Sequence, residues 1–103
     1  MPAKARRRGI LAAGNFIVDR VTIVDRWPAE ETLSSIESVA RSNGGLAYNV
    51  LVDLAHMRVP YPLEALGVIG PDDDGRFILA DCRRLGIRTR GLRIARRART
   101  AFS

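Results

Sequence analysis

The stretch Ser42-Asn43-Gly44-Gly45-Leu46-Ala47-Tyr48-Asn49 joins an extended polar segment to an apolar helix. Its two adjacent glycines let the backbone approach a ligand where any side chain would block it, and they tolerate a positive φ. Asn49, one turn into the helix, directs its amide back toward the helix N-terminus, where backbone N–H groups lack partners within the helix. The stretch therefore predicts a polar cradle for a small, hydroxyl-rich molecule.

Strands and helices alternate on both sides of this stretch. Short apolar or alternating runs bounded by Gly or Pro predict strands, and apolar residues on one stripe predict helices. The predicted strands cover residues 10–13, 19–27, 33–41, 63–69, 92–95 and 100–103, and the predicted helices cover residues 47–57 and 75–85. This order indicates an α/β fold with a parallel sheet, flanking helices and right-handed crossovers. The polar-faced pair at about residues 19–41 does not fit the alternation, so we predict a two-stranded β lid there.

The composition is that of an ordinary globular protein, with 47% hydrophobic and 27% charged residues in a chain of 103. We expect a single domain over residues 10–103, preceded by a basic, disordered tail at residues 1–9. Cys82 is the only cysteine, so no internal disulfide can form, and a reducing compartment is the simplest setting. No stretch approaches the ~20 apolar residues that cross a membrane. We therefore expect a soluble, cytoplasmic protein without a membrane partner.

The net charge of +6 comes from arginine, with eight arginines between Arg83 and Arg99. These arginines are not interleaved with aromatic residues, and no groove-reading module accompanies them, so specific nucleic-acid binding is not expected. A basic nucleic-acid binder stays open as an alternative, and it predicts an affinity that falls steeply with salt.

Four features occur in a characteristic order. A strand ending at Gly14 is followed five residues later by Asp19, and the lid segment comes next. The third feature is Gly44-Gly45-x-Ala47-x-Asn49, and the fourth is Gly67-Val68-Ile69-Gly70-Pro71-Asp72-Asp73-Asp74-Gly75, with Leu85-Gly86-Ile87 after the next helix. In these features the chain resembles the N-terminal third of the ribokinase-like (pfkB) carbohydrate kinase family, and the third matches the core of that family's first signature. The resemblance covers about residues 10–103.

The resemblance implies an ATP-dependent kinase that phosphorylates a hydroxyl group of a sugar or nucleoside. It assigns substrate binding to Asp19, Gly44, Gly45 and Asn49, beneath a lid whose closure excludes water. ATP and Mg²⁺ are the expected cofactors of the full-length family enzyme, and no metal site is expected here. The family's second signature, which carries the catalytic base and the anion hole, is not found in this sequence. We therefore expect no catalytic residue, little nucleotide binding and no activity from this truncated chain, and the lid could mediate a homodimer.

Simpler interpretations of the same residues stay open. Asp19 can start an exposed strand, and Asn49 can cap its helix. Capping of the second helix accounts for the aspartates at residues 72–74, because carboxylates are stabilised at a helix N-terminus. The alternative function is a non-enzymatic sugar-binding or protein-interaction module built on the same half-fold.

Three positions depart from the family pattern. Leu51 stands where a small residue is usual, and Arg58 stands where a glycine commonly ends the helix. Ile17 stands where ribokinases proper carry asparagine, which leaves open whether ribose itself is the sugar.

Overall fold

The computed structural model describes residues 6–103, so part of the predicted tail, residues 1–5, lies outside the described residues. The elements in chain order are β1 (Ile10–Ala13), β2 (Ile17–Val24), β3 (Ile36–Gly44), α1 (Leu46–His56), β4 (Leu63–Ile69), α2 (Asp73–Arg84), β5 (Ile87–Ile94) and β6 (Ala101–Phe102). They form a parallel sheet in the order β1-β4-β5 and a second sheet in the order β3-β2-β6. The predicted α/β fold with a β lid is confirmed.

The core lies on one face of the parallel sheet. Leu63, Ala65 and Ile69 of β4 point into it and meet Leu51 of α1 and Ile78 of α2. The alternate side chains of β4 point the other way, because successive strand residues face opposite sides of a sheet. Leu66 and Val68 are accordingly 43% and 58% exposed.

The lid is the strand pair β2–β3. The two strands run antiparallel, with Ile17 opposite Gly44, Asp19 opposite Ser42 and Arg20 opposite Arg41. The short strand β6 runs parallel to β2 and adds a third strand at the base of the lid. The base begins earlier than residue 19 because Phe16 and Val18 are anchored in the hydrophobic core.

Alternation within the lid assigns its residues to two faces. Arg20, Arg41 and Asn43 share the face that packs toward α2, where each of them meets an aspartate of that helix. Asp19 and Gly44 lie on the opposite face, because neighbouring residues in a strand point to opposite sides.

The two helices end differently. After α2, Gly86 takes a φ of 74°, the left-handed conformation expected of a glycine that follows a helix. After α1, Arg58 takes the equivalent position with a φ of 54°. A Cβ atom in this conformation approaches the following carbonyl oxygen, which costs roughly 1–2 kcal/mol. Arg58, which stands where the family commonly has a glycine, is therefore a point of backbone strain.

Replacing Arg58 by glycine should raise the free energy of unfolding by about 1 kcal/mol, because the strained Cβ is removed. Urea denaturation at neutral pH measures the change. Arg58→Ala is the matched control, since it removes the same guanidinium group and keeps the Cβ. Equal stabilisation in both variants would contradict the backbone explanation.

Candidate functional site

The centre of the candidate site is the contact between Asp19 and Gly44. The Asp19 carboxylate lies over the Gly44 backbone, and a Cβ built on Gly44 would lie only 2.5 Å from Asp19 Oδ2. Glycine is thus required at residue 44 for the carboxylate to keep its place. Asp19 is half-buried, so its carboxylate is held by the strand and can still meet a ligand.

Gly45 turns the chain from the lid into α1. It has a φ of 95°, and a Cβ there would collide with the carbonyl oxygen of Asn15. Its own carbonyl oxygen accepts the backbone N–H of Asn49 at 2.9 Å, which closes the first turn of the helix. Among residues 6–103 no side chain caps this N-terminus, and no acidic residue occupies the first turn of the helix. The first N–H groups of α1 therefore keep their hydrogen-bonding capacity.

The structure brings the four predicted site residues to one junction, where the base of the lid meets the start of α1. Asp19 contacts Gly44, Gly45 follows directly, and Asn49 is bonded through its backbone to Gly45. Within residues 6–103, the side chains of Asp19 and Asn49 share no hydrogen bond, and Asn49 is exposed. The junction offers a carboxylate, an amide and backbone donors, a set suited to sugar hydroxyls. Their roles in binding stay predictions.

A hydrogen-bond network behind this junction was not predicted from the sequence. Asn43 Nδ2 donates to Asp81 Oδ2 at 3.0 Å, and the Tyr48 hydroxyl donates to the same oxygen. Burial is the main cause that raises the pKa of Tyr48 well above its ordinary value, and the hydrogen bond to Asp81 raises it further. Burial would raise the pKa of Asp81, but the hydrogen bonds from Tyr48, Arg84 and Asn43 outweigh it and hold that pKa low. The network attaches both ends of the cradle stretch to α2.

Asp72 joins the start of α2 to a segment near residue 100. Its carboxylate accepts from the Gly75 N–H at 2.8 Å, from the Thr100 N–H at 2.9 Å and from the Thr100 hydroxyl at 2.6 Å. The Thr100 oxygen accepts the Gly70 N–H at 2.8 Å, and Thr100 is only 1% exposed. The hydrogen bonds from the Thr100 side chain and backbone lower the pKa of Asp72 to about 2. The predicted capping role of Asp72 is thus only part of its function.

The turn between Gly70 and Gly75 does not fit a nucleotide or its Mg²⁺. A Cβ on Gly70 would strike the backbone of Ala98 and Thr100, so protein atoms fill the space that a phosphate would need. The neighbouring aspartates are also engaged, Asp73 by Arg76 and Asp74 by arginines of the lid. In the part of the chain that the structure describes, no cluster of three or more His, Cys, Asp or Glu residues could hold a metal ion. These residues therefore do not account for any step of phosphoryl transfer.

No helix among residues 6–103 has both the length and the apolar character that a membrane span requires.

Comparison with known proteins decides the family. Residues 7–103 match the profile of the pfkB family carbohydrate kinases. The chain belongs to this family. A curated relative, the ATP-dependent ribose-1-phosphate kinase of Halopiger xanaduensis, is 36% identical over 92 residues, which are 89% of this chain and 30% of the relative.

Solved structures support the fold of this pfkB chain. A carbohydrate kinase from Agrobacterium tumefaciens superposes with a TM-score of 0.79 at 20% identity, over 93% of this chain and 30% of that one. The nucleoside kinase of Methanocaldococcus jannaschii superposes with a TM-score of 0.73 at 23% identity, over 89% and 30% of the two chains. The pfkB chain thus spans about a third of the length of the relatives that it matches.

Replacing Thr100 by valine should lower the free energy of unfolding by about 1–2 kcal/mol at neutral pH, because the Asp72 carboxylate and the Gly70 N–H each lose their hydrogen bond with the Thr100 hydroxyl. Asp72 has a folded-state pKa below its ordinary 3.8, so its contribution is present above about pH 4 and is lost as the pH falls toward 2. The variant should therefore lose less stability than the parent across this window. Urea denaturation at several pH values measures both effects.

Thr100→Ser is the matched control, since serine keeps the hydroxyl and loses only a methyl group. Serine should retain most of the acid-sensitive stability. If the valine and serine variants show the same pH profile, the hydroxyl is not the stabilising group.

Proposed function

We propose that this chain forms the acceptor-binding part of an ATP-dependent sugar kinase. Asp19 accepts hydrogen bonds from sugar hydroxyls, and Asn49 donates and accepts at a further hydroxyl. Gly44 leaves room for the Asp19 carboxylate beside its backbone, and Gly45 turns the chain so that the start of α1 lies at the same site. The lid covers the bound sugar and excludes water from it. Membership of a carbohydrate kinase family supports the sugar as acceptor.

The observation that carries this proposal is the position of the Asp19 carboxylate over Gly44, beside a helix N-terminus without a side-chain cap. An ionised carboxylate accepts from two hydroxyls at once, and charge-assisted hydrogen bonds are roughly twice as strong as neutral ones. The nearby N–H groups and the amide of Asn49 add donors that a carboxylate cannot supply. Neighbouring hydroxyls of a furanose ring match such a mixture of donors and acceptors.

The proposed acceptor is a sugar, a sugar phosphate or a nucleoside. The curated relative at 36% identity is a ribose-1-phosphate kinase, which favours a phosphorylated pentose in the first trials. ATP and Mg²⁺ serve the longer family enzyme, and we propose that the 103-residue chain binds the acceptor without turning it over.

We also infer a cytoplasmic setting. Cys82 is fully buried, and burial raises the pKa of its thiol to about 11, so it stays a protonated thiol at neutral pH.

A homodimer formed through the lid stays a hypothesis. Several apolar lid side chains, among them Val39 and Ile36, are exposed and could contact the lid of a second copy. Light scattering coupled to gel filtration measures the oligomeric state directly.

Isothermal titration of the chain with ribose, ribose 1-phosphate, fructose and adenosine should identify an acceptor. Asp19→Asn should weaken its binding roughly tenfold or more, because a charged hydrogen bond contributes about 1.5–3 kcal/mol. Gly44→Ala should weaken it too, since the new methyl group displaces the carboxylate. Asp25→Asn is the control, because Asp25 is a lid aspartate that accepts only from the Ser35 N–H at 3.0 Å within the described chain.

Binding that is equally strong in the Asp19 and Asp25 variants would overturn the assignment of Asp19. Absence of binding by the parent chain to every compound would instead favour the protein-interaction alternative.

A coupled ADP-release assay with the same compounds and MgATP tests the catalytic part of the proposal. We expect no turnover above the rate without protein. Reproducible turnover, abolished by Asp19→Asn, would show that the chain carries a phosphate-transfer site of its own.

A further inference from the structure

The face of the lid opposite Asp19 carries an ion-pair cluster that neither the sequence prediction nor the family assignment uses. Asp74, in the first turn of α2, is only 6% exposed. Its Oδ2 accepts from Arg20 Nη2 at 2.6 Å, and its Oδ1 lies 3.6 Å from Arg41 Nη1. Arg20 belongs to β2 and Arg41 to β3, so one carboxylate reaches both strands of the lid. We call these three residues the lid clamp.

The two arginines of the lid clamp are direct cross-strand partners. Like charges directly opposite each other destabilise an antiparallel pair, because their side chains lie side by side on one face. An anion between the guanidinium groups therefore stabilises the strand pair at this point. Asp74 supplies it from the N-terminal turn of α2, where the helix dipole also favours a negative charge.

The two sides of the lid clamp differ in geometry. The Arg20 side is a hydrogen-bonded ion pair, and its guanidinium group also lies 5.5 Å from the centre of the Phe102 ring. The Arg41 side is an ion pair without a hydrogen bond, and its guanidinium group stacks 4.1 Å from the centre of the Phe77 ring. Asp74 Oδ1 accepts no hydrogen bond within residues 6–103. Arg20 is thus the anchoring side and Arg41 the weaker one.

The clamped residues adjoin the candidate site along the chain. Asp19 precedes Arg20, and Ser42, the cross-strand partner of Asp19, follows Arg41. We propose that Asp74 is a positioning residue: by drawing Arg20 and Arg41 to one carboxylate, it holds the lid strands in the register and orientation that place Asp19 over Gly44. The consequence for ligand binding rests on the proposed function, whereas the consequence for the lid does not.

Hydrogen exchange of backbone amides, followed by mass spectrometry on the 103-residue chain, tests the lid clamp without any ligand. In Asp74→Asn, amides of residues 17–24 and 36–44 should exchange at least tenfold faster, while those of β4 change little. Asp73→Asn is the matched control, because Asp73 lies in the same turn but has an 87% exposed side chain and, among residues 6–103, pairs only with Arg76. A uniform acceleration across β4 and the lid, or equal exchange in the two variants, would overturn the proposal.

Two further comparisons keep the test decisive if Asp74→Asn folds poorly. Arg20→Gln should accelerate lid exchange more than Arg41→Gln, because only Arg20 is hydrogen-bonded to Asp74. Adding Arg41→Gln to Asp74→Asn should slow lid exchange again, since the opposed like charges are gone. Equal effects of the two arginine variants, or no rescue in the double variant, would contradict the lid clamp.

Acceptor titration separates this proposal from the proposed function. If a sugar binds the parent chain, Asp74→Asn should weaken it about tenfold and Asp73→Asn should leave it unchanged. If Asp74→Asn and Asp73→Asn bind the sugar equally, Asp74 does not position the site. If no sugar binds the parent, the proposed function fails, and the exchange pattern of the lid still decides the role of Asp74.

Discussion

The carboxylate of Asp72 ties together parts of the chain that are far apart in sequence. It starts α2 through the Gly75 N–H and holds Thr100 through a hydroxyl and a backbone N–H. These hydrogen bonds to Thr100 place Ala101 and Phe102 of β6 alongside β2, where they pair with Ile17 and Val18. The strand that carries Asp19 thus has a partner on each side. A surface carboxylate with a single partner would contribute little. Asp72 instead accepts two hydrogen bonds from the buried Thr100 and a third from Gly75, and together they fix the crossing of these two segments.

Helix α2 extends this attachment to the rest of the lid. Asp74 reaches Arg20 and Arg41 near its start, and Asp81 reaches Asn43 and Tyr48 two turns later. The contacts of Arg20, Arg41 and Asn43 lie on the face of the lid that packs on α2, whereas Tyr48 belongs to α1. On the opposite face, the Asp19 carboxylate makes no hydrogen bond or ion pair with another side chain within residues 6–103, so no such bond competes with a ligand. The supporting contacts and the proposed binding residues thus lie on opposite sides of one strand pair, as the alternation of side chains in a strand permits.

The elements that depend on local signals could be predicted from the sequence. The strand at residues 63–69 was predicted with its observed bounds, because prolines precede its apolar run and a glycine follows it. The capping by Asp72 and the glycine after α2 followed from equally local rules. The full length of β5 could not be predicted by such rules, because Arg88 and Arg90 interrupt the apolar pattern. Arg90 is accommodated in the strand by an ion pair with Glu64 at 2.8 Å.

The features of the candidate site also fall into those that local sequence predicts and those that depend on distant residues. The Gly-Gly turn and the start of α1 were accessible from residue types, whereas the contact of Asp19 with Gly44 depends on strand register, a property of distant residues. Thr100, Asp81 and the lid clamp were missed because their partners lie 28 to 54 positions away in the chain. No local pattern marks such pairs.

The central claim is that a sugar binds where the lid base meets the start of α1. A titration of the ¹⁵N-labelled chain with the sugar that shows the strongest calorimetric signal, followed by two-dimensional NMR, tests it most directly. The account predicts that the amide signals of Gly44, Gly45 and Leu46 move first and saturate together, while those of Arg88 and Arg90 at the far end of β5 stay in place. Saturable shifts confined to Arg88, Arg90 and their neighbours, with Gly44 and Gly45 unmoved, would contradict it.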